Sequence, residues 1–496
     1  MKAVYPFLFL SIGIISVFLF HADVFLPIWA SVAIFSGVSL FLWSGYRHKR
    51  VGVLILLLWL VYALPFIHVV PYLWFDFANE DPLRLWVWMK VNPYMLEERI
   101  IQLTAMIGAV GGIGFAFGVS LNGQVIVWDT GLSSNGNQRL VRTLSIPIWM
   151  AWVIGGVALS WLASDNDTLF TAGYTGSQSA LTGANFDSAW MIAGVLLAFA
   201  LCDAMLDKNP ASRAFKKTVI FWTIAFVVVV LQLLRGDRDL IPFVFGAILI
   251  YFYWAAPLTQ KRQRQIPWTK VMVGGLVLVV VSSILGATRT SLTEIRDIVQ
   301  LAGLLADLYE SGAIGVSSLL YGTWTAVLLT PLSVAGDYIN ELLPLKLGED
   351  YLNLFLSIPP GFMADAVGYT RPINASTSPA WEMRYGLGGT HAAVLPFMNF
   401  RLLGVLVIPA LWAYIFTRYE KGAMKRLSVA NLALLCTVAM AAPHWLWYGE
   451  KNGFNAMVIW MLLTFLYRLS LSLGRISGAV SRDSLRPNLQ ANRVEN

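Results

Sequence analysis

The chain has 496 residues, of which 57% are hydrophobic and only 13% charged, with a mean hydropathy of +0.65 and a formal net charge of +7. Soluble proteins carry about 25% charged residues, so this balance excludes a disordered chain, a disulfide scaffold and a cytosolic enzyme. It leaves an all-α polytopic integral membrane protein, in which positive charge is first a matter of topology and not of nucleic acid.

Lys2 is followed by an apolar run to Phe20. No small-residue cleavage site follows and Val24 begins another apolar run, so an uncleaved first membrane helix is expected here. A span needs about 20 mostly apolar residues. Twelve such segments occur, at 3–20, 24–43, 51–74, 99–121, 143–163, 187–206, 217–234, 239–257, 270–288, 402–418, 429–448 and 455–473. Within 99–121, Gly108/Gly112 and Gly114/Gly118 form tandem small-residue pairs that read as helix packing. Cys202 and Cys436 sit inside apolar segments and support neither a disulfide framework nor a metal site.

Charge tests this map. Basic loops at Arg47–Arg50, Arg139–Arg142, Lys208–Lys217, Lys261–Lys270 and Arg418–Arg426, with a basic tail after Arg468, all fall on the side of Lys2 if each segment crosses once. The positive-inside rule makes that side, and both termini, cytoplasmic. Split by side, the charge is +17 at the cytoplasmic face and −10 at the outer face, which together give the +7. Residues 312–336 are apolar enough to cross but would break this pattern, so 289–336 is expected to form surface or re-entrant helices. The expected organisation is a single transmembrane catalytic domain over 1–473, a long outer loop at 337–401 with short helices, and a basic cytoplasmic tail at 474–496.

Three outer features carry chemistry. Arg235-Gly236-Asp237-Arg238-Asp239 joins two spans with almost no loop. It reads either as a surface turn with snorkelling arginines or as an anion site, since the guanidinium fork fits phosphate oxygens. Arg289 emerges directly from a span; Arg296 lies seven residues on, where Glu294 and Asp297 also offer a surface ion network. The long loop holds Asp365, Arg371, Glu382 and Arg384, then Tyr385-Gly386-Leu387-Gly388-Gly389-Thr390-His391. His391 reads as a structural histidine or as an acid/base group. His68 and His444 sit near span ends and read as structural groups, His444 having the better claim to a role because Glu450 and Lys451 follow it on the outer side. Asp76, Glu80 and Asp81 would be the ligands if a divalent metal took part.

Taken in order, Gly236-Asp237-Arg238, Gly286-Ala287-Thr288-Arg289, the Pro-rich loop, Gly388-Gly389-Thr390-His391, Asn399-Phe400 and Gly404 resemble the Wzy-type polymerases of O-antigen and exopolysaccharide repeat units. The likeness covers about residues 220–420; the first 200 match only in hydropathy and topology. One departure is Arg401, where the family often has Gly.

The resemblance implies a membrane glycosyltransferase in the bacterial inner membrane with its active site on the periplasmic side. Such enzymes join oligosaccharide repeat units carried on undecaprenyl diphosphate, without nucleotide sugar, cofactor or essential metal, beside membrane lipids and a chain-length-determinant co-polymerase. Fixed arginines would stabilise the leaving diphosphate. Arg238 and Arg289 from span ends, and Arg384 and Arg371 from the loop, are the expected holders, followed by Arg235 and Arg401. His391, then Glu382, then Asp365 are the expected bases. The competing readings are an O-antigen ligase-like transferase and a transporter of polysaccharide or lipid-linked oligosaccharide, the latter disfavoured because charge gathers at outer span ends and not at the midplane.

Overall fold

A computed structural model describes residues 4–48, 50–74, 76, 94, 97–122, 142–163, 189–207, 211–234, 298–310, 316–357, 367–370, 372, 390–425 and 428–491. Among these residues there is no strand. In chain order the helices are α1 (Val4–His21), α2 (Ile28–Arg47), α3 (Val53–Ala63) with a 3-10 continuation (Leu64–Leu73), α4 (Glu98–Leu121), α5 (Ile146–Ala163), α6 (Ala189–Leu206), α7 (Ala211–Leu234), α8 (Ile298–Glu310), α9 (Val316–Ile339), α10 (Glu349–Leu356), α11 (Val394–Lys425), α12 (Val429–Tyr448) and α13 (Glu450–Ala491).

Among the described residues, seven helices are long and apolar enough to cross a membrane: Val4–His21, Ile28–Arg47, Val53–Leu73, Glu98–Leu121, Val394–Ala423, Val429–Trp447 and Glu450–Leu473. Expected spans 143–163, 187–206 and 217–234 fall on α5, α6 and α7. Spans 239–257 and 270–288 lie outside the described residues. Large apolar side chains point outward from α1 (Phe7, Phe18) and α13 (Leu462, Phe465), as lipid-facing surfaces require.

Several boundaries differ from expectation: α2 runs from Ile28 to Arg47 and not over 24–43, and α11 and α13 begin at Val394 and Glu450 and not at 402 and 455. The third span finishes as a 3-10 segment because Pro65 and Pro71 lack the amide hydrogen an α-helix needs there. Over the segment 312–336 the chain forms α9, one uninterrupted helix that runs on to Ile339, in which Val327, Leu328, Leu332, Val334 and Ala335 are buried. The described side chains of α8 are mostly exposed. The tail continues α13 as helix to Ala491.

The chain divides into two compact units. The first comprises 1–129, 267–425 and 441–454. Its centre is α4, buried on nearly every side, as expected of a helix apolar all round. Added Cβ atoms at Gly114 and Gly118 would lie 2.1 Å and 2.0 Å from the carbonyl oxygens of Leu406 and Ala410, so α4 and α11 meet backbone to backbone. Gly112 and Gly108 likewise receive Trp59 and Phe66. The small-residue pairs are packing positions.

Contacts between helix ends fix the alternation of direction in this unit. At one end Arg99 pairs with Asp23 at 2.7 Å, Phe20 packs on Tyr338 and Phe397, and the Trp447 indole donates to the Val61 carbonyl. At the other, Glu420 accepts the Leu54 amide at 3.1 Å, while Asn122 and Lys421 donate to the Tyr414 and Asn122 carbonyls. The first is the His21 end, where α1 finishes.

The second unit comprises 130–266, 426–440 and 455–496. Its core is ionic. Lys217 lies 2.8 Å from Asp203 and 2.7 Å from Asp207, with all three side chains essentially without solvent exposure. Asp203 also accepts the Leu144 amide and the Tyr467 hydroxyl, and Lys217 donates to the Leu144 carbonyl. The Cys202 and Cys436 thiols are free but stand 3.9 Å apart.

Candidate functional site

The site builds from the turn that leads into α11, at the His21 end of the first unit. Thr390 and His391 are buried, and the backbone is pinned by the Ala392 amide donating to the Leu446 carbonyl at 2.8 Å. A short helical stretch from Val394 follows, with Pro396 in its first turn, where a missing amide hydrogen costs nothing. The helix breaks at Arg401, which has φ 53° and ψ −148°. Glycine tolerates this region and other residues reach it at a cost of about 1–3 kcal/mol. It is the position where the resembling family often carries Gly, and here an arginine is held in that conformation. Gly404 lets the broken helix close on itself, since a Cβ there would lie 2.4 Å from the Pro396 carbonyl oxygen.

Arg401 is anchored on one side only. Its Nη2 donates to the Leu343 carbonyl at 2.7 Å, and the guanidinium lies over Tyr338 and Phe397, 5.2 Å and 5.8 Å from the ring centroids. Nη1 has no hydrogen-bond partner among the described residues.

Asn399 fastens α10 to this turn. Its side-chain oxygen accepts the amides of Gly348 and Asp350 at 3.1 Å and 3.2 Å, and its nitrogen donates to Asp350 at 3.0 Å. An amide from a distant segment thus satisfies the open N-terminus of α10. Lys346 completes the bracket, 3.0 Å from Asp350. Tyr351, the next residue, stacks on Phe400 and donates its hydroxyl to Glu450 at 3.1 Å. Burial, and after it the neighbouring Glu450, raise the Tyr351 phenol well above its usual value, so it remains a donor.

His391 is the one expected base among the described residues, and it is fully buried. Nδ1 accepts the Ala393 amide at 3.1 Å, which leaves Nε2 to donate to the Tyr62 carbonyl at 2.9 Å. The ring meets Tyr62 and Phe66 edge-on. Both nitrogens are therefore occupied by backbone, and as placed the ring fastens the loop to α3.

Burial pushes His391 down to about 4, against a smaller upward pull from the Tyr62 carbonyl. The ring titrates near 6.5 when unfolded, so the unfolded chain takes up the proton first as pH falls. Stability is then full above about pH 6.5 and declines toward pH 4 by up to about 3 kcal/mol. The melting temperature of the wild type should therefore drop more steeply between pH 7.5 and 4.5 than that of His391→Gln. Parallel pH profiles would contradict the buried neutral ring.

Of the other expected site residues, Arg235, Arg238, Arg289, Asp365, Arg371, Glu382 and Arg384 lie outside the described residues, as do Glu80 and Asp81. The structure brings His391 and Arg401 into one turn and adds Asn399, Tyr351 and Glu450. Asn399 was visible in the motif. Tyr351 and Glu450 had only a weak signal, a polar residue beside a span end.

No protein-family model matches the chain, and no curated protein or solved structure does either.

Proposed function

We propose that this protein is a polymerase of lipid-linked polysaccharide repeat units, working at the His21 end of its membrane helices. That end is the outer, periplasmic face by the charge rule, in a bacterial inner membrane. The observation that supports this most is the turn from Thr390 to Gly404. Its sequence resembles the motif that closes the outer loop of Wzy-type polymerases. It folds as a pinned turn at a helix-bundle end, carrying an arginine with one free donor edge.

The chemistry follows from charge. The donor is an oligosaccharide on undecaprenyl diphosphate, and the acceptor is a second lipid-linked unit. Breaking the sugar–diphosphate bond builds negative charge on the leaving oxygen. Arginines fixed in a low-dielectric site stabilise that charge without reorganising. Arg238, Arg289, Arg384 and Arg371 are the proposed holders, joined by Arg235 and Arg401. Exclusion of water by the protein around the sugars would protect the donor from hydrolysis. A chain-length-determinant co-polymerase is the expected protein partner, and no metal or nucleotide is required by the scheme.

Arg238→Ala and Arg289→Ala are expected each to lower polymer formation about 100-fold or more. The measurement is the polysaccharide ladder from cells that make the variants at wild-type level in the membrane. Near-normal ladders from both would remove the arginines from the mechanism. A single larger product in place of a ladder would favour the ligase-like transferase.

A further inference from the structure

Glu450 opens α13, yet its carboxylate does not behave as a helix cap. A first-turn acid is stabilised by the amides of its own helix. Here Oε1 instead accepts the hydroxyl of Tyr351, 99 positions earlier in the chain, at 3.1 Å. Oε2 is buried and has no hydrogen-bond partner among the described residues. The residue is only 2% exposed. A buried carboxylate oxygen left unpaired costs about as much as a lost charged hydrogen bond, so its retention calls for a donor that arrives from elsewhere.

The surroundings indicate what that donor is. Tyr351 stacks on Phe400 with centroids 6.0 Å apart, and Phe355 meets Phe454 edge-on at 5.1 Å. Phe400 and Phe355 are 38% and 53% exposed. Aromatic faces beside a carboxylate suit a sugar, whose ring presents C–H groups on one side and hydroxyls at its edge. Asp350 is spoken for by Lys346 and Asn399, and His391 has both nitrogens engaged. Arg401 follows Phe400 directly and holds Nη1 unpaired.

We infer that Glu450 accepts the proton of the acceptor sugar hydroxyl, with Tyr351 fixing the carboxylate so that Oε2 faces the incoming group. The inference rests on the polymerase reading. In the step, the hydroxyl proton passes to Oε2 and its oxygen bonds to the anomeric carbon of the donor. The bond from that carbon to the diphosphate oxygen breaks, and its electron pair leaves on the diphosphate. Glu450 then returns the proton to the released diphosphate or to water. Oε2 has no solvent contact at rest, so α10, which carries Tyr351, is the element that yields to admit the acceptor. The shielding also denies the carboxylate a water molecule to activate in place of the sugar.

The test uses purified full-length protein and lipid-diphosphate-linked repeat units, with products resolved on a gel. Glu450→Gln keeps the shape and an acceptor for Tyr351. It is expected to lower turnover about 100-fold or more with little change in KM, while the melting temperature stays at the wild-type value. Formate, a small carboxylate, should restore part of the turnover of Glu450→Ala. A wild-type ladder with an equally active Glu450→Gln overturns the inference and leaves the polymerase reading standing. A Glu450→Gln protein that fails to fold assigns the residue to the fold and overturns it too. No ladder from wild type overturns the polymerase reading, and this inference with it.

Discussion

Lys217→Met is expected to destabilise the second unit by about 3–5 kcal/mol. The ammonium is the shared partner of Asp203 and Asp207, at 2.8 Å and 2.7 Å. Removing it leaves two carboxylates facing each other where water does not reach. The Leu144 amide and the Tyr467 hydroxyl already serve Asp203, but they supply hydrogen bonds and no counter-charge. A charge in an apolar interior is costly unless paired. The variant should melt well below the wild type in detergent, or be lost from the membrane. Replacing both aspartates by asparagine in the Lys217→Met background removes the uncompensated charge and should recover much of the loss. A Lys217→Met protein with wild-type stability would contradict the ionic core.

Gly114→Val should cost about 3 kcal/mol, the upper part of the range for overpacking. Most overpacked side chains find relief by rotating a neighbour. Here the obstructing atom is the Leu406 carbonyl oxygen, 2.1 Å from the position of a Cβ. Backbone yields only if α4 and α11 separate, and Gly118 meets Ala410 in the same way one turn on. Gly37→Ala in α2 is the control. No atom lies within 4 Å of its added Cβ, so it should be neutral or stabilise by up to about 1 kcal/mol through helix propensity. Equal melting temperatures for the two variants would dismiss the close helix contact.

These residues show what the sequence made legible. Long apolar runs predict helices because the lipid interior leaves the backbone no other partner, and α1, α4 and α12 fall where the pattern puts them. The Gly pairs of α4 were legible for a related reason, since only close packing makes repeated small residues useful there. Lys217 was not. By position it joins the basic cytoplasmic loop 208–217, yet α7 begins at Ala211 and carries it into the core. A pattern of charges along the chain does not reveal which lysine meets an aspartate on another helix. Cys202 and Cys436 came together for the same reason, through tertiary packing across 234 positions.

The site divides in a similar way. The motif around His391 and Asn399 falls on one buried turn, but the residue types left their roles open. His391 reads equally as base or fastener until Tyr62 and Ala393 are seen on its two nitrogens. Arg401 stood out as a departure from the family pattern. Only its positive φ explains why glycine suits that position, and what an arginine there has to endure.

The most direct measurement is reconstitution. Purified protein in liposomes, given lipid-diphosphate-linked repeat units and nothing else, should convert them into a ladder spaced by one repeat unit. The ladder should vanish in the protein carrying both Arg238→Ala and Arg289→Ala. Substrate that crosses the bilayer unchanged in size, with no ladder, would contradict the account and make the protein a transporter.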